Sequence, residues 1–182
     1  MGTGAFSTVS ATRDAEISVA SDSEAYLTLD ATNSSSALIG QQQANGTIAF
    51  DFAGGSVNSS VNPEGAGLNP ESTTTIPQAF EVYNHGTETI SVKATVPDGG
   101  FGSDISTDGE KQSVRNAITF EYVDASTETV HDLLWDGSGS EWVEFGVGKG
   151  GWVTVQFELA GTGLSGDLVD QMTFTAETNP SG

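Results

Sequence analysis

Along most of this chain, apolar and polar residues alternate with a period of two. That pattern buries one face of an extended strand and wets the other, and it does not suit the 3.6-residue turn of a helix. Between Trp152 and Leu159, Val153, Val155, Phe157 and Leu159 share one face, while Trp152, Thr154, Gln156 and Glu158 share the other. From Thr89 to Val96 the inward set is Ile90, Val92, Ala94 and Val96. The same rule marks Ile17/Val19, Ala25/Leu27/Leu29, Ile48/Phe50/Phe52, Phe80/Val82, Ile118/Phe120/Tyr122, Val143/Phe145/Val147 and Met172/Phe174/Ala176, which makes about nine strands by this period-two test.

Turn chemistry separates these segments: Asn84-His85-Gly86, Pro97-Asp98-Gly99-Gly100, Asp108-Gly109, Asp136-Gly137 and Lys149-Gly150-Gly151. Short helices are expected at Ser36 to Ala44, Thr127 to Trp135 and, for a turn or two, Leu164 to Met172. None is long enough to organise a βαβ unit. The connection from Ala53 to Thr75 is polar, and Pro63 and Pro70 bar it from a central strand, so it reads as a surface excursion. Together these features predict an all-β fold, an antiparallel β-sandwich of jelly-roll or immunoglobulin-like kind with short helical insertions.

Composition narrows the function. The 182 residues carry 25 Asp and Glu against 5 Lys and Arg, a formal charge of −20, with no two basic residues adjacent. Nucleic-acid binding needs a basic stripe that displaces counterions from phosphates, and this chain has none. No apolar run approaches the ~18 residues of a membrane span, so the mature chain is not expected to insert into a membrane. Without cysteine there is no disulfide and no thiolate nucleophile or metal ligand. So large an acidic excess repels itself in dilute buffer and is screened to within ~3 Å at 1 M salt, the signature of a halophilic protein.

Catalytic candidates are few. His85 lies in a turn sequence and His131 in Thr-Val-His-Asp, and neither sits in a metal-binding or triad spacing; no HExxH, GxSxG or phosphate-loop motif occurs. No catalytic residue, no metal centre and no cofactor is therefore expected. Asp98, Asp104, Asp108 and Glu110 gather in one Gly-rich loop and offer hard oxygen ligands to a weakly held structural cation, without EF-hand spacing. Asn33-Ser34-Ser35, Asn45-Gly46-Thr47 and Asn58-Ser59-Ser60 match the N-glycosylation acceptor, so in an exported chain Asn33, Asn45 and Asn58 are the expected glycan sites.

Residues 1–13 differ from the rest: small, without a carboxylate, and uncharged until Arg13, whereas Asp14 opens the acidic body. The segment lacks the basic start and long apolar stretch of a signal peptide and reads as the start of a mature chain left after cleavage. The expected division is a donor segment at 1–13 and a sandwich domain at 14–182. An extended end of this kind can add a strand to a neighbouring molecule's sheet and build a head-to-tail polymer. Phe6 and Val9 point to opposite faces of a regular strand, so burying both takes two apolar layers or a bulge.

The opening Gly2-Thr3-Gly4-Ala5-Phe6-Ser7, with Asp14-Ala15-Glu16-Ile17-Ser18-Val19-Ala20 and Ala25-Tyr26-Leu27-Thr28-Leu29, resembles secreted haloarchaeal proteins of a small uncharacterised domain family. Phe80-Glu81-Val82-Tyr83-Asn84-His85-Gly86-Thr87 is similar to the phenylalanine, asparagine and glycine pattern of the wider TasA and camelysin group. The resemblance implies a secreted jelly-roll subunit of extracellular fibres, serving a biofilm matrix or bundling pili. Its donor strand would be Gly2, Thr3, Gly4, Ala5, Phe6, Ser7, Thr8 and Val9, and its partners would be further copies, neighbouring filaments and cell-surface components. The metalloprotease activity ascribed to some camelysin relatives does not transfer, because no paired histidines are present to bind zinc. The other expectation is a cell-surface binding module for carbohydrate or protein, using loops around Trp135, Trp142 and Trp152.

Overall fold

Alternating β-branched and aromatic residues pair into two sheets in the computed structural model, which describes residues 14–19, 27–31, 34, 39–42, 47–51, 68–124, 127–134, 142–166 and 168–178. The six-stranded sheet runs, in spatial order, β3 (Ile39–Gln42), β4 (Thr47–Asp51), β1 (Asp14–Val19), β11 (Gln171–Glu177), β6 (Ile90–Thr95) and β9 (Val143–Phe145). The five-stranded sheet runs β2 (Leu27–Asp30), β5 (Thr73–Asn84), β10 (Gly150–Glu158), β7 (Ile118–Val123) and β8 (Val130–Asp132). Among the described residues one α-helix, α1 (Asp108–Ala117), follows a 3-10 turn at Asp98–Gly100. Each of the nine expected strands has a counterpart, and the architecture is a two-sheet sandwich.

The inward faces meet in an aromatic centre. Phe80 of β5 packs edge-on against Phe120 of β7 at 5.8 Å and Phe174 of β11 at 5.6 Å, and Phe120 stacks on Phe174 at 6.0 Å. All three rings are essentially fully buried, alongside Val82, Val92, Val153 and Val155. The edge-to-face contacts set positive ring edges against negative faces, so they add to the burial itself.

Among the described strand ladders, antiparallel pairing, expected throughout, gives way at one. β1 lies parallel to β11, from Glu16 opposite Gln171 to Val19 opposite Phe174. The first and last described strands are thus neighbours running the same way. A second irregularity lies in β5, where Pro77, Gln78 and Ala79 face Thr154 alone and Gln78 takes φ 49°. Proline lacks the ladder N–H, so the bulge is where a strand can hold it.

Four local expectations are corrected. The helices expected at Ser36 to Ala44 and Thr127 to Trp135 are replaced by strands β3 and β8. Gly40 disfavours a helix interior, and the ladder from Ile39 opposite Phe50 to Gln42 opposite Thr47 captures that segment instead. Thr129 and Val130 are β-branched, and Glu128 at φ 57° closes a hairpin in which the Asp124 N–H donates to the Thr129 carbonyl at 3.0 Å. The described residues of 164–170 form no helical turn; Val169 bridges Phe101 and β11 begins at Gln171. Conversely, the acidic stretch read as a loop contains α1. A capping box starts it, in which Thr107 Oγ1 accepts from the Glu110 N–H at 3.2 Å and Glu110 Oε2 accepts from the Thr107 N–H at 2.8 Å.

Candidate assembly surface

Strand directions give the sandwich two distinct ends. β1, β5, β7 and β11 all run from an end that carries the 3-10 turn and the start of β11, where Gly102 N–H donates to Leu168 O and Asp170 N–H to Gly100 O. This is the 3-10 pole. They run toward the end that carries the 85–89 turn and the hairpin between β9 and β10, the Asn84 pole. Because β1 and β11 are parallel, β1 begins with Asp14 at the 3-10 pole, while β11 ends at the Asn84 pole.

The Asn84 pole is held by one buried amide. Asn84 Nδ2 donates to the carbonyls of Glu88 at 2.9 Å, Phe145 at 2.9 Å and Gly146 at 3.2 Å, and Oδ1 accepts from the Gly86 N–H at 2.8 Å. Its own N–H and carbonyl pair with Lys149 O and Gly148 N. Beside it, Tyr83 donates its hydroxyl to Gly148 O at 2.8 Å and packs on His85 with ring centroids 4.4 Å apart. Gly148 takes φ +65°, and Gly150 lies so close to β5 that a Cβ would collide with Val82 O and the Tyr83 Cα.

Near this pole an apolar shelf crosses the outer face of the five-stranded sheet. Val123 stands opposite Val130, and Val153 opposite Tyr122, which puts Trp152 one step along beside Val123. Asp30 opposite Glu81, and Glu81 opposite Trp152, complete the row to the far edge. The row therefore reads Asp30, Glu81, Trp152, Val123, Val130: acidic at the β2 edge and apolar at the β8 edge. Val123 and Val130 are 52% and 58% exposed, and with Val147 they are the large exposed hydrophobics among the described residues. Val147 sits in the turn at the same pole.

β8 then leaves the sheet. Asp132 Oδ1 accepts from the Phe120 N–H at 2.9 Å and the Leu134 N–H at 3.0 Å, which turns the chain across the sandwich edge. Leu134 bridges Ala94 of β6, and the Leu133 carbonyl accepts from the Ala94 N–H. Tyr122 meets Phe145 of β9 at 4.6 Å, so β8 and β9, three residues each, flank one side of the sandwich. No described strand lies beyond either. Tyr122 is buried, and burial, then the Asp124 charge, pushes its phenol above the ordinary value.

The acidic residues singled out from sequence are placed apart in function. Asp98 is in the 3-10 turn and pairs with Lys111 Nζ at 3.5 Å, Asp104 is in a turn, Asp108 is the first residue of α1, and Glu110 caps that helix. Backbone hydrogen bonds from Thr107 and then Ser106 hold the Glu110 carboxyl below its ordinary value. Asp104, Thr107 and Glu110 line an open depression of about 610 Å³ with Thr162, Ser165 and Gly166, but no group of three or more His, Asp or Glu suited to hold a metal occurs among the described residues.

His85 is exposed in its turn, and His131 lies on β8 with its ring 6.4 Å from that of Tyr122. Trp142 packs beneath Lys93 Nζ, 4.2 Å from its ring centroid, on the outside of the six-stranded sheet, whereas Trp152 is on the outside of the five-stranded one. The two tryptophans do not form one platform, and Trp135 lies outside the described residues. So do Gly2 through Val9 and the acceptor sites Asn33, Asn45 and Asn58. Sequence reading missed the Val123–Val130 pair because Val130 was assigned to a helix; the available signal was Val123 following inward Tyr122, which places it outward. No family model matches the chain, and no curated protein gives a significant match.

Proposed function

We propose that the chain is a structural subunit of an extracellular pilus-like or biofilm-matrix filament, a secreted jelly-roll-like sandwich that polymerises head to tail. Residues 2–9 of one copy are donated as a strand to the next, and the partner is the chain itself. The observation that carries this reading is the parallel pairing of β1 with β11. It starts β1 at one pole with Asp14, the first described residue, whereas β2 and β8, the edge strands of the five-stranded sheet among the described residues, both start near the other pole. Copies stacked pole to pole would bring the leading segment of each to an edge of its neighbour, and main-chain hydrogen bonds would supply affinity. Such a contact is heterologous and propagates unless geometry closes a ring.

The test is a chain lacking residues 1–11. It should fold, with an unchanged thermal melt, and sediment as a monomer under salt conditions where the full chain forms filaments visible by negative-stain microscopy. Filaments of the shortened chain would overturn the reading.

A further inference from the structure

We propose that the outer edge of β8 is the acceptor: the leading segment of a second copy adds there as a sixth strand of the five-stranded sheet, with Phe6 or Val9 on the Trp152–Val123–Val130 shelf. This rests on the head-to-tail reading above. Four observations favour this edge over β2 and β9, and favour this occupant.

The first is direction. β1 runs toward the Asn84 pole, so a segment continuing backward from β1 of a copy stacked on that pole enters there, with its chain running toward the pole. β8 runs away from the pole, being antiparallel to β7, so the added strand is antiparallel to β8 and continues the pattern of its sheet. β9 runs toward the pole and would receive it in parallel.

Reach comes second. Thirteen extended residues span up to about 45 Å, and β8 begins at the pole, so the segment arrives with length to spare. Surface chemistry is third. The row across the sheet is acidic at β2, with Asp30 and Glu81, and apolar at β8, with Val123 and Val130 about half exposed. An incoming strand that carries Phe6 and Val9 gains burial at β8 and little at β2.

Charge is the fourth. Asp124, Glu128, Glu121 and Asp132 surround β8, so the acidic body of a second copy would meet like charge there. Residues 1–13 carry no carboxylate and end in Arg13. The segment therefore suits an acidic border better than the body of the same chain does.

The chain has no cysteine, so introduced thiols report contacts without background. Filaments would be assembled from Phe6→Cys or Val9→Cys chains, which between them present a thiol on either face of the added strand, that also carry either Val130→Cys on β8 or Thr28→Cys on β2, then mildly oxidised. The expected result is a ladder of disulfide-linked oligomers with Val130→Cys and none with Thr28→Cys. Filaments that cross-link at Thr28→Cys alone, or at neither site, overturn the β8 assignment and leave the filament reading standing. Failure of the full chain to form filaments, or filaments from the chain lacking residues 1–11, removes that reading and the β8 assignment with it. In addition, Val130→Asp should raise the critical concentration for assembly at least tenfold while leaving the melting temperature of the monomer within error. An unchanged critical concentration would also overturn the proposal.

Discussion

The side-chain amide of Asn84 donates to the main-chain carbonyl of Phe145 at 2.9 Å, joining the end of β5 to the end of β9 from within the core. The same amide holds the Glu88 and Gly146 carbonyls and accepts from Gly86, so one fully buried residue closes two turns. Asn84→Ala leaves those groups in a dry site and should cost about 3 kcal/mol by the penalty for unsatisfied buried polar groups. Asn84→Asp keeps the acceptor but loses the donors and should cost at least as much. Urea unfolding of both variants checks this, and a loss under about 1 kcal/mol would mean that water replaces the amide.

Asp132 does comparable work at the sandwich edge, accepting from two main-chain N–H groups where the chain passes from one sheet to the other. Asp132→Ala should destabilise by about 2 kcal/mol, as hydrogen bonds to a charged group imply. Asp132→Asn retains one amide carbonyl oxygen able to accept and should recover a large part of that loss. Equality of the two variants in chemical denaturation would show that the acceptor oxygen is not the operative feature.

Two groups give the stability a defined pH dependence. The Glu110 carboxyl lies below its ordinary value of 4.5 because of the Thr107 and Ser106 N–H groups. Its contribution is therefore present above that ordinary value and is lost as pH falls through the lower folded one. The melting-temperature gap between the parent and Glu110→Gln should accordingly narrow on acidification, and a constant gap from pH 7 to 2 would contradict the capping role. Tyr122 shifts the other way, upward from 10.0 through burial and the Asp124 charge. Its contribution is complete below that value and is lost as pH rises through the folded one, a loss that Tyr122→Phe should not show in melts taken from pH 9 to 12.

A formal charge of −20 on 182 residues makes salt part of the folding balance. Surface pairs such as Lys111 with Asp98, whose side chain is 87% exposed, offset little of it. The screening length grows from ~3 Å at 1 M to ~10 Å at 0.1 M, so compact structure should be lost as salt is lowered across that range. Circular dichroism and tryptophan emission would follow the transition. A melt independent of salt would show that the packed centre around Phe80, Phe120 and Phe174 outweighs the repulsion unaided.

The strands were legible because their faces differ: Val153, Val155 and Phe157 bury exactly where period-two alternation puts them, and Trp152 and Thr154 stay partly wet. Helix α1 was hidden by Asp108-Gly109, which reads as a turn, although Thr107 and Glu110 spell a capping box three residues apart. β3 and β8 were misread because three- and four-residue strands carry too little alternation to outweigh helix-forming neighbours; long-range ladders to β4 and β7 decide them. At the candidate surface, the outward position of Val123 was readable, whereas its meeting with Val130 and Trp152 depends on register across three strands, which no local pattern encodes.

The parallel pairing of the first and last described strands also decides how this body answers a pull. Tension applied between Asp14 and Glu177 acts along β1 and β11 in opposite senses, so the hydrogen bonds between them are loaded in shear and must yield together. Had the two strands been antiparallel, both handles would sit at one end, and the ladder would unzip rung by rung under a much smaller force. The strand order thus suits a link that bears load along its length.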